Sequence, residues 1–166
     1  MLVSKELDPN EECVRCILHP LMFSISHHKL KREALLPPRN SNKVSLLRLA
    51  YTEGGIPFCV NHGKSLSIDG QTFVGLACIT PQMVKECSDR VLKQHSQYAD
   101  IVYAPMHQGN YVDTSIDIDS KDPNIDLPMH ADLTYFNHQE SEVQTILRMF
   151  ANELVKLASF IGEETE

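Results

Sequence analysis

The chain has 166 residues, of which 42% are hydrophobic and 22% charged. That length favours one domain with a sizeable core, and the composition excludes disorder as the default state. The formal net charge of −7 works against a surface that binds polyanions throughout. No run approaches the ~18 apolar residues of a membrane span. The opening MLVSKELDPNEEC lacks the basic start and apolar run of a secretory signal. A cytoplasmic location without membrane contact is therefore expected.

Residues 1–12 are polar and are expected to be a loose N-terminal segment. Residues 13–166 are expected to form one α+β domain, with a zinc-knuckle region at 13–64 integrated into it. Pro37 to Asn42 reads as a loop. Val44 to Tyr51 reads as a buried strand, with a short helix as the alternative. Gly54-Gly55 marks a turn, and Ile56 to Val60 is a second strand candidate. Thr72 to Ile79 is a third, in which Gly75 signals a bulge or a close backbone approach.

Thr80-Pro81 opens a helix, with Thr as N-cap and Pro at the first helical position, and Val84, Cys87 and Val91 share one face. Asp100 to Ala104 is a further short strand. Residues 105–128 are loop-rich. Met129 to Phe136 alternates and reads as a strand. Ser141 with Gln144 resembles a capping box, and Val143, Ile146, Leu147, Phe150, Leu154, Leu157 and Ile161 trace an apolar helical stripe suited to covering a sheet. Regular βαβ spacing is missing. The expected fold is α+β, a mixed or antiparallel sheet packed by two principal helices, with an N-terminal zinc knuckle.

Five cysteines in a chain without an export signal point to free thiols or metal ligands, not to a disulfide framework. Cys13-x-x-Cys16 and Cys59-x-x-His62 form two pairs at metal-ligand spacing. Together they would complete a closed Cys₃His shell around a structural Zn²⁺. The spacer between the pairs is longer than in typical zinc modules. The alternative is unpaired thiols at Cys13 and Cys16 with a core Cys59. Cys78 and Cys87 sit in apolar runs and read as core.

Two further constellations could carry catalysis. His27-His28 lies between the cysteine pairs, followed by Asn40 and Asn42. His130, Asp132 and Thr134 would share one face of a strand, because side chains alternate with period two, while Ala131, Leu133 and Tyr135 face the core. A neighbouring carboxylate can orient a histidine as general base. No nucleophile motif accompanies the pair, and a polar sheet face in which Asp132 simply pairs with His130 is the preferred reading. The run Asp113, Asp117, Asp119, Asp122 and Asp126 fails the EF-hand pattern and reads as a solvated acidic loop. No phosphate-cradling glycine loop is present.

Charge is uneven along the chain. Residues 1–64 carry nine Lys/Arg against six Asp/Glu, and residues 65–166 carry six against sixteen. Within 13–48, Arg15, Lys29, Lys31, Arg32, Arg39, Lys43 and Arg48 face Glu33 alone. This points to an acidic partner or a weak nucleic-acid contact through the stretch 15–48, or to matching of the two halves within the chain.

The order of Cys13, Cys16, His27, His28, Asn42, Cys59 and His62 resembles an HNH-type zinc finger. It departs from that family in the long spacer after Asn42 and in ending on His62. The resemblance implies a metal-dependent nuclease using His27 or His28. The stretches VSLLR, FVGLACI and PMHADL resemble a set of small uncharacterised prokaryotic proteins, which implies an accessory component of a mobile-element or defence locus and transfers no catalytic residue. The expected function is a non-catalytic, zinc-stabilised binding or accessory module with a protein partner. The rivals are the HNH-like nuclease and a small hydrolase using His130 and Asp132.

Overall fold

The computed structural model describes residues 1–38, 40–136 and 143–163. Its core is a six-stranded antiparallel sheet built from β1 (Cys13–His19), β4 (Lys43–Arg48), β5 (Thr72–Ile79), β6 (Tyr98–Tyr103), β9 (His130–Phe136) and β10 (Ser159–Gly162), in the order β10-β5-β1-β4-β9-β6. Two small hairpins lie outside it. One joins β2 (Phe23–Ser24) to β3 (Lys29–Leu30), the other β7 (Met106–His107) to β8 (Asn110–Tyr111). Three α-helices complete the fold: α1 (Gly55–Ser65), α2 (Pro81–Cys87) and α3 (Val143–Leu157). The α+β class and the antiparallel alternative are as the sequence pattern implied; three helices, not two, pack on the sheet, and the expected zinc knuckle is divided between β1, which carries Cys13 and Cys16, and α1, which carries Cys59 and His62.

Strand parity divides the core into two layers. On one face Cys13, Ile17, Val44, Leu46, Ala131, Leu133 and Tyr135 pack with Val84 and Cys87 of α2 and Leu147, Phe150 and Leu154 of α3. Tyr135 meets Phe150 edge-to-face, with ring centroids 5.4 Å apart. On the other face Val14, Cys16, Leu47, Phe73, Leu76 and Cys78 pack with Cys59 of α1 and with Met129. Central strands buried on both faces read as near-continuous apolar runs, which is why CVRCILH and VSLLR show no clean alternation.

Several expectations are met in detail. Thr80 caps α2 by accepting a hydrogen bond from the Met83 backbone N–H at 3.2 Å. Gly75 sits at both a register shift against β1 and a close approach, since a Cβ there would lie 2.3 Å from the Ile161 carbonyl oxygen. Others are corrected. Ile56 to Val60 lies within α1, because Gly54 and Gly55 turn the chain with positive φ and Pro57 fits the first helical turn, where no N–H is needed. The C-terminal helix stops at Leu157, and Ile161 belongs to β10, paired with Leu76. Ser141 of the expected capping box lies outside the described residues, as does Arg39 of the basic stretch.

The first twelve residues, expected loose, are fastened at several points. Val3 is buried and its N–H donates to the Ile118 carbonyl at 2.8 Å. Arg48, fully buried, donates Nε to Glu11 Oε2 at 2.6 Å, Nη2 to Glu11 Oε1 at 2.9 Å and Nη1 to the Ser4 carbonyl. Its guanidinium also lies 4.6 Å and 5.2 Å from the ring centroids of Tyr51 and Tyr103. Among the described residues, no helix is long and apolar enough to cross a membrane.

Candidate functional site

The four expected zinc ligands do not converge. Residues 13–19 are a strand, so Cys13 and Cys16, three apart, leave from opposite faces of the sheet. Cys13 joins the layer under α2 and α3, while Cys16 joins Cys59 under α1. Cys16 Sγ lies 3.9 Å from the Cys59 carbonyl oxygen. His62 follows Cys59 by one helical turn and stacks on Phe58 with centroids 6.3 Å apart. Burial favours the protonated thiols. It pushes Cys13 up to about 12, with Glu11 adding to the shift and Arg48 opposing it, Cys16 up to about 12, and Cys59 up to about 11. Among the described residues, no three His, Cys, Asp or Glu side chains are grouped to hold a metal. These residues do not fit a closed Cys₃His shell.

Part of that set, Cys16 and His62, instead lines a cleft of about 330 Å³ together with His130 of the other catalytic candidate. The cleft arises where the sheet forks. β1 and β4 pair only at Cys13↔Arg48 and Val14↔Leu47, after which β1 continues beside β5 and β4 beside β9. Arg15 occupies the fork. Its Nε donates to the Ala34 carbonyl at 3.2 Å and its Nη1 to the Ser45 carbonyl at 3.4 Å. Cys16, His62 and His130 line the cleft beside it, against an apolar wall that includes Leu66, Met106 and Leu127.

His130 and Asp132 lie on one face of β9, as expected, and both are buried, at 3% and 2% exposure. They take different partners. His130 Nδ1 donates to the Ala104 carbonyl at 2.8 Å, and Asp132 Oδ2 accepts from the Tyr111 hydroxyl at 2.6 Å. A carbonyl can only accept, so Nδ1 carries the proton and neutral His130 keeps its lone pair on Nε2. Burial lowers the His130 pKa, with Asp132 opposing the shift. His62 is lowered in the same way, with Asp126 opposing. Both imidazoles are thus held neutral at neutral pH. Among the described residues, no serine, threonine or cysteine is hydrogen-bonded to His130.

His27 and His28 lie between β2 and β3, in a hairpin whose Phe23 packs in the α2–α3 layer and not with α1. His27 Nδ1 is 3.0 Å from the Ser26 hydroxyl, and the His28 ring meets Phe23 and Phe160 edge-on at 5.5 and 6.2 Å. Neither joins Cys59 and His62, so the HNH-like order in the sequence does not become one site.

His28 instead edges a second, larger groove of about 830 Å³ between the β2–β3 hairpin and α3. Its cations come from four places: Lys29 of β3, Lys31 and Arg32 beside it, Arg90 of the turn after α2, and Lys156 of α3. The floor is apolar, formed by Val91, Val155, Ala158 and Phe160, with Met149 half exposed at the rim. Among the described residues Glu153 is the one acid that lines it, 3.6 Å from Arg90 and 3.3 Å from Lys156, and Arg32 pairs with the neighbouring Glu33 at 3.7 Å. The rest of the basic stretch is scattered: Arg15 is in the fork, Arg48 is buried against Glu11, and Lys43 lies 4.6 Å from the Tyr111 ring centroid.

The acidic loop has a local explanation. Asp113, Asp119 and Asp122 each accept from the backbone N–H two residues on, at 2.9 Å. Such side-chain caps shape turns without a metal. Asp117 and Asp119 also meet Lys5 and the N-terminal amine at 3.6 and 3.4 Å, so the two oppositely charged halves do match in part. Comparison of the chain with family models, with curated proteins and with solved structures found no match to any of them.

Proposed function

We propose that this protein is a non-catalytic binding module whose basic groove receives an acidic, amphipathic segment of a protein partner. One observation carries the reading: five cations from four separate elements converge over an apolar floor in a chain of net charge −7. A uniformly cationic surface would suit a phosphate backbone. Here the apolar floor and the half-exposed Met149 suit a helix that presents apolar residues downward and carboxylates to the rim. Glu153 pre-orients Arg90 and Lys156, which a competing carboxylate could share.

The apolar floor favours a protein partner over nucleic acid. Single-strand binding draws on exposed aromatic platforms, and among the described residues the groove's one aromatic carbocycle, Phe160, is stacked on Phe23 at 4.5 Å. The test is a fluorescence anisotropy titration with two probes, an acidic amphipathic helical peptide and a single-stranded oligonucleotide. The reading expects the peptide to bind with moderate salt dependence and Lys29→Glu with Arg32→Glu to abolish the signal. Binding of the oligonucleotide alone, or of neither probe, would refute it.

A further inference from the structure

We propose that the cleft at the sheet fork is a second binding site, for a small organic monocarboxylate with a compact apolar body. The proposal rests on observations separate from those for the basic groove. Arg15 is half-buried, and among the described residues no carboxylate lies within ion-pairing distance of it. Its Nε and one Nη1 hydrogen bond go to backbone carbonyls, which are polar but carry no charge. A desolvated cation without a counter-charge is costly, and an anion in the cleft would relieve that cost. The remaining guanidinium N–H groups form the fork that a carboxylate accepts in bidentate fashion.

The rest of the lining narrows the ligand class. The cleft volume of about 330 Å³ is at the small end of the range for small-molecule sites, roughly 300–1,000 Å³. His62 and His130 are held neutral by burial, so among the described residues Arg15 is the one positive charge that lines the cleft, and a dianionic phosphate would be under-compensated. His130 offers a lone pair at Nε2, not a second N–H, because Nδ1 is committed to Ala104. That nitrogen would accept from a hydroxyl or amide N–H on the ligand. Leu46, Leu47, Leu66, Met106 and Leu127 supply the apolar wall for its body.

The test follows the imidazole resonances of the full chain by NMR during titration with butyrate, 2-hydroxybutyrate, benzoate and, for comparison, inorganic phosphate. Saturable shifts at His62 and His130 with the carboxylates, and weaker ones with phosphate, are expected. Arg15→Gln should weaken carboxylate binding roughly tenfold or more, the loss expected for one charge-assisted hydrogen bond. Should Arg15→Gln fail to fold, Ser45→Trp serves instead, because Ser45 is exposed and lines the cleft. That variant should block binding and leave the melting temperature unchanged. Unshifted imidazoles, phosphate binding as tightly as the carboxylates, or undiminished carboxylate binding in either folded variant would overturn the proposal.

Discussion

Removing Glu11 should destabilise the protein more than any other single change at its N-terminal end. Arg48 has 0% of its side chain exposed and Glu11 8%, so solvent screens their interaction little. Glu11→Ala deletes two charge-assisted hydrogen bonds and strands the guanidinium between two tyrosine rings, with the Ser4 carbonyl as its remaining hydrogen-bond acceptor. Leaving a buried charge without its partner typically costs about 3–5 kcal/mol. For a domain of this size that corresponds to a fall in melting temperature of roughly 6–20 °C. Replacing both partners together is a different perturbation. Arg48→Met with Glu11→Leu removes both charges, and such apolar replacements are often neutral or stabilising by about 1–4 kcal/mol. Urea denaturation of the wild type, Glu11→Leu, Arg48→Met and the double variant closes the cycle. The reasoning fails if Glu11→Ala costs under about 1 kcal/mol, or if the double variant is as unstable as the sum of the singles.

Two further outcomes follow from the same structure. Gly63→Ala should destabilise despite alanine's better helix propensity, because the added Cβ would lie 2.2 Å from the buried Phe73 ring. Overpacking of about 1–3 kcal/mol outweighs a propensity gain of about 1 kcal/mol, and an unchanged or raised denaturation midpoint would refute it. For pH, His130 and His62 have folded pKa values below their ordinary 6.5. The unfolded chain therefore takes up protons first as pH falls. Their contribution to stability is complete above about pH 6.5 and is lost progressively as pH drops through the lower, folded values. His130→Asn should flatten the fall of the urea midpoint on acidification, and an unaltered slope would show that His130 does not titrate in this way.

The fold was readable wherever pattern and local chemistry agreed. Thr72 to Ile79 and Met129 to Phe136 announce themselves by β-branched, aromatic and alternating residues, and both are strands within a residue of the expected bounds. The α1 segment misled because IPFCV is rich in strand-favouring residues. The decisive signals were Gly54, Gly55 and Pro57, which set the backbone for a helical start. Only Cys59 and Gly63 of that helix are buried, a stripe too narrow for apolar periodicity to reveal. At the other end, the apolar stripe of α3 runs on through Ile161, although the chain turns at Ala158 to pair β10 with β5. Pairing partners distant in sequence decide such an ending.

The candidate site shows why a motif's spacing has meaning only on a known backbone. Cys13–Cys16 and Cys59–His62 have the same three-residue separation. On a strand an odd separation sends two side chains to opposite faces, whereas on a helix it places them one turn apart on the same face. The first pair is therefore divided between the two core layers, while the second stays on one helix, Cys59 in the core and His62 lining the cleft. The chemistry-bearing residues Cys16, His62, His130 and Asp132 could all be picked out from the sequence. What could not be read was that β1 and β4 part after Val14↔Leu47, because a ladder's end depends on both strands and their neighbours. That parting turns Arg15 from one more residue of a basic run into a cation in a cleft with no carboxylate partner among the described residues, and the same logic separates Lys29 and Arg32 from the rest of the run by joining them to Arg90 and Lys156.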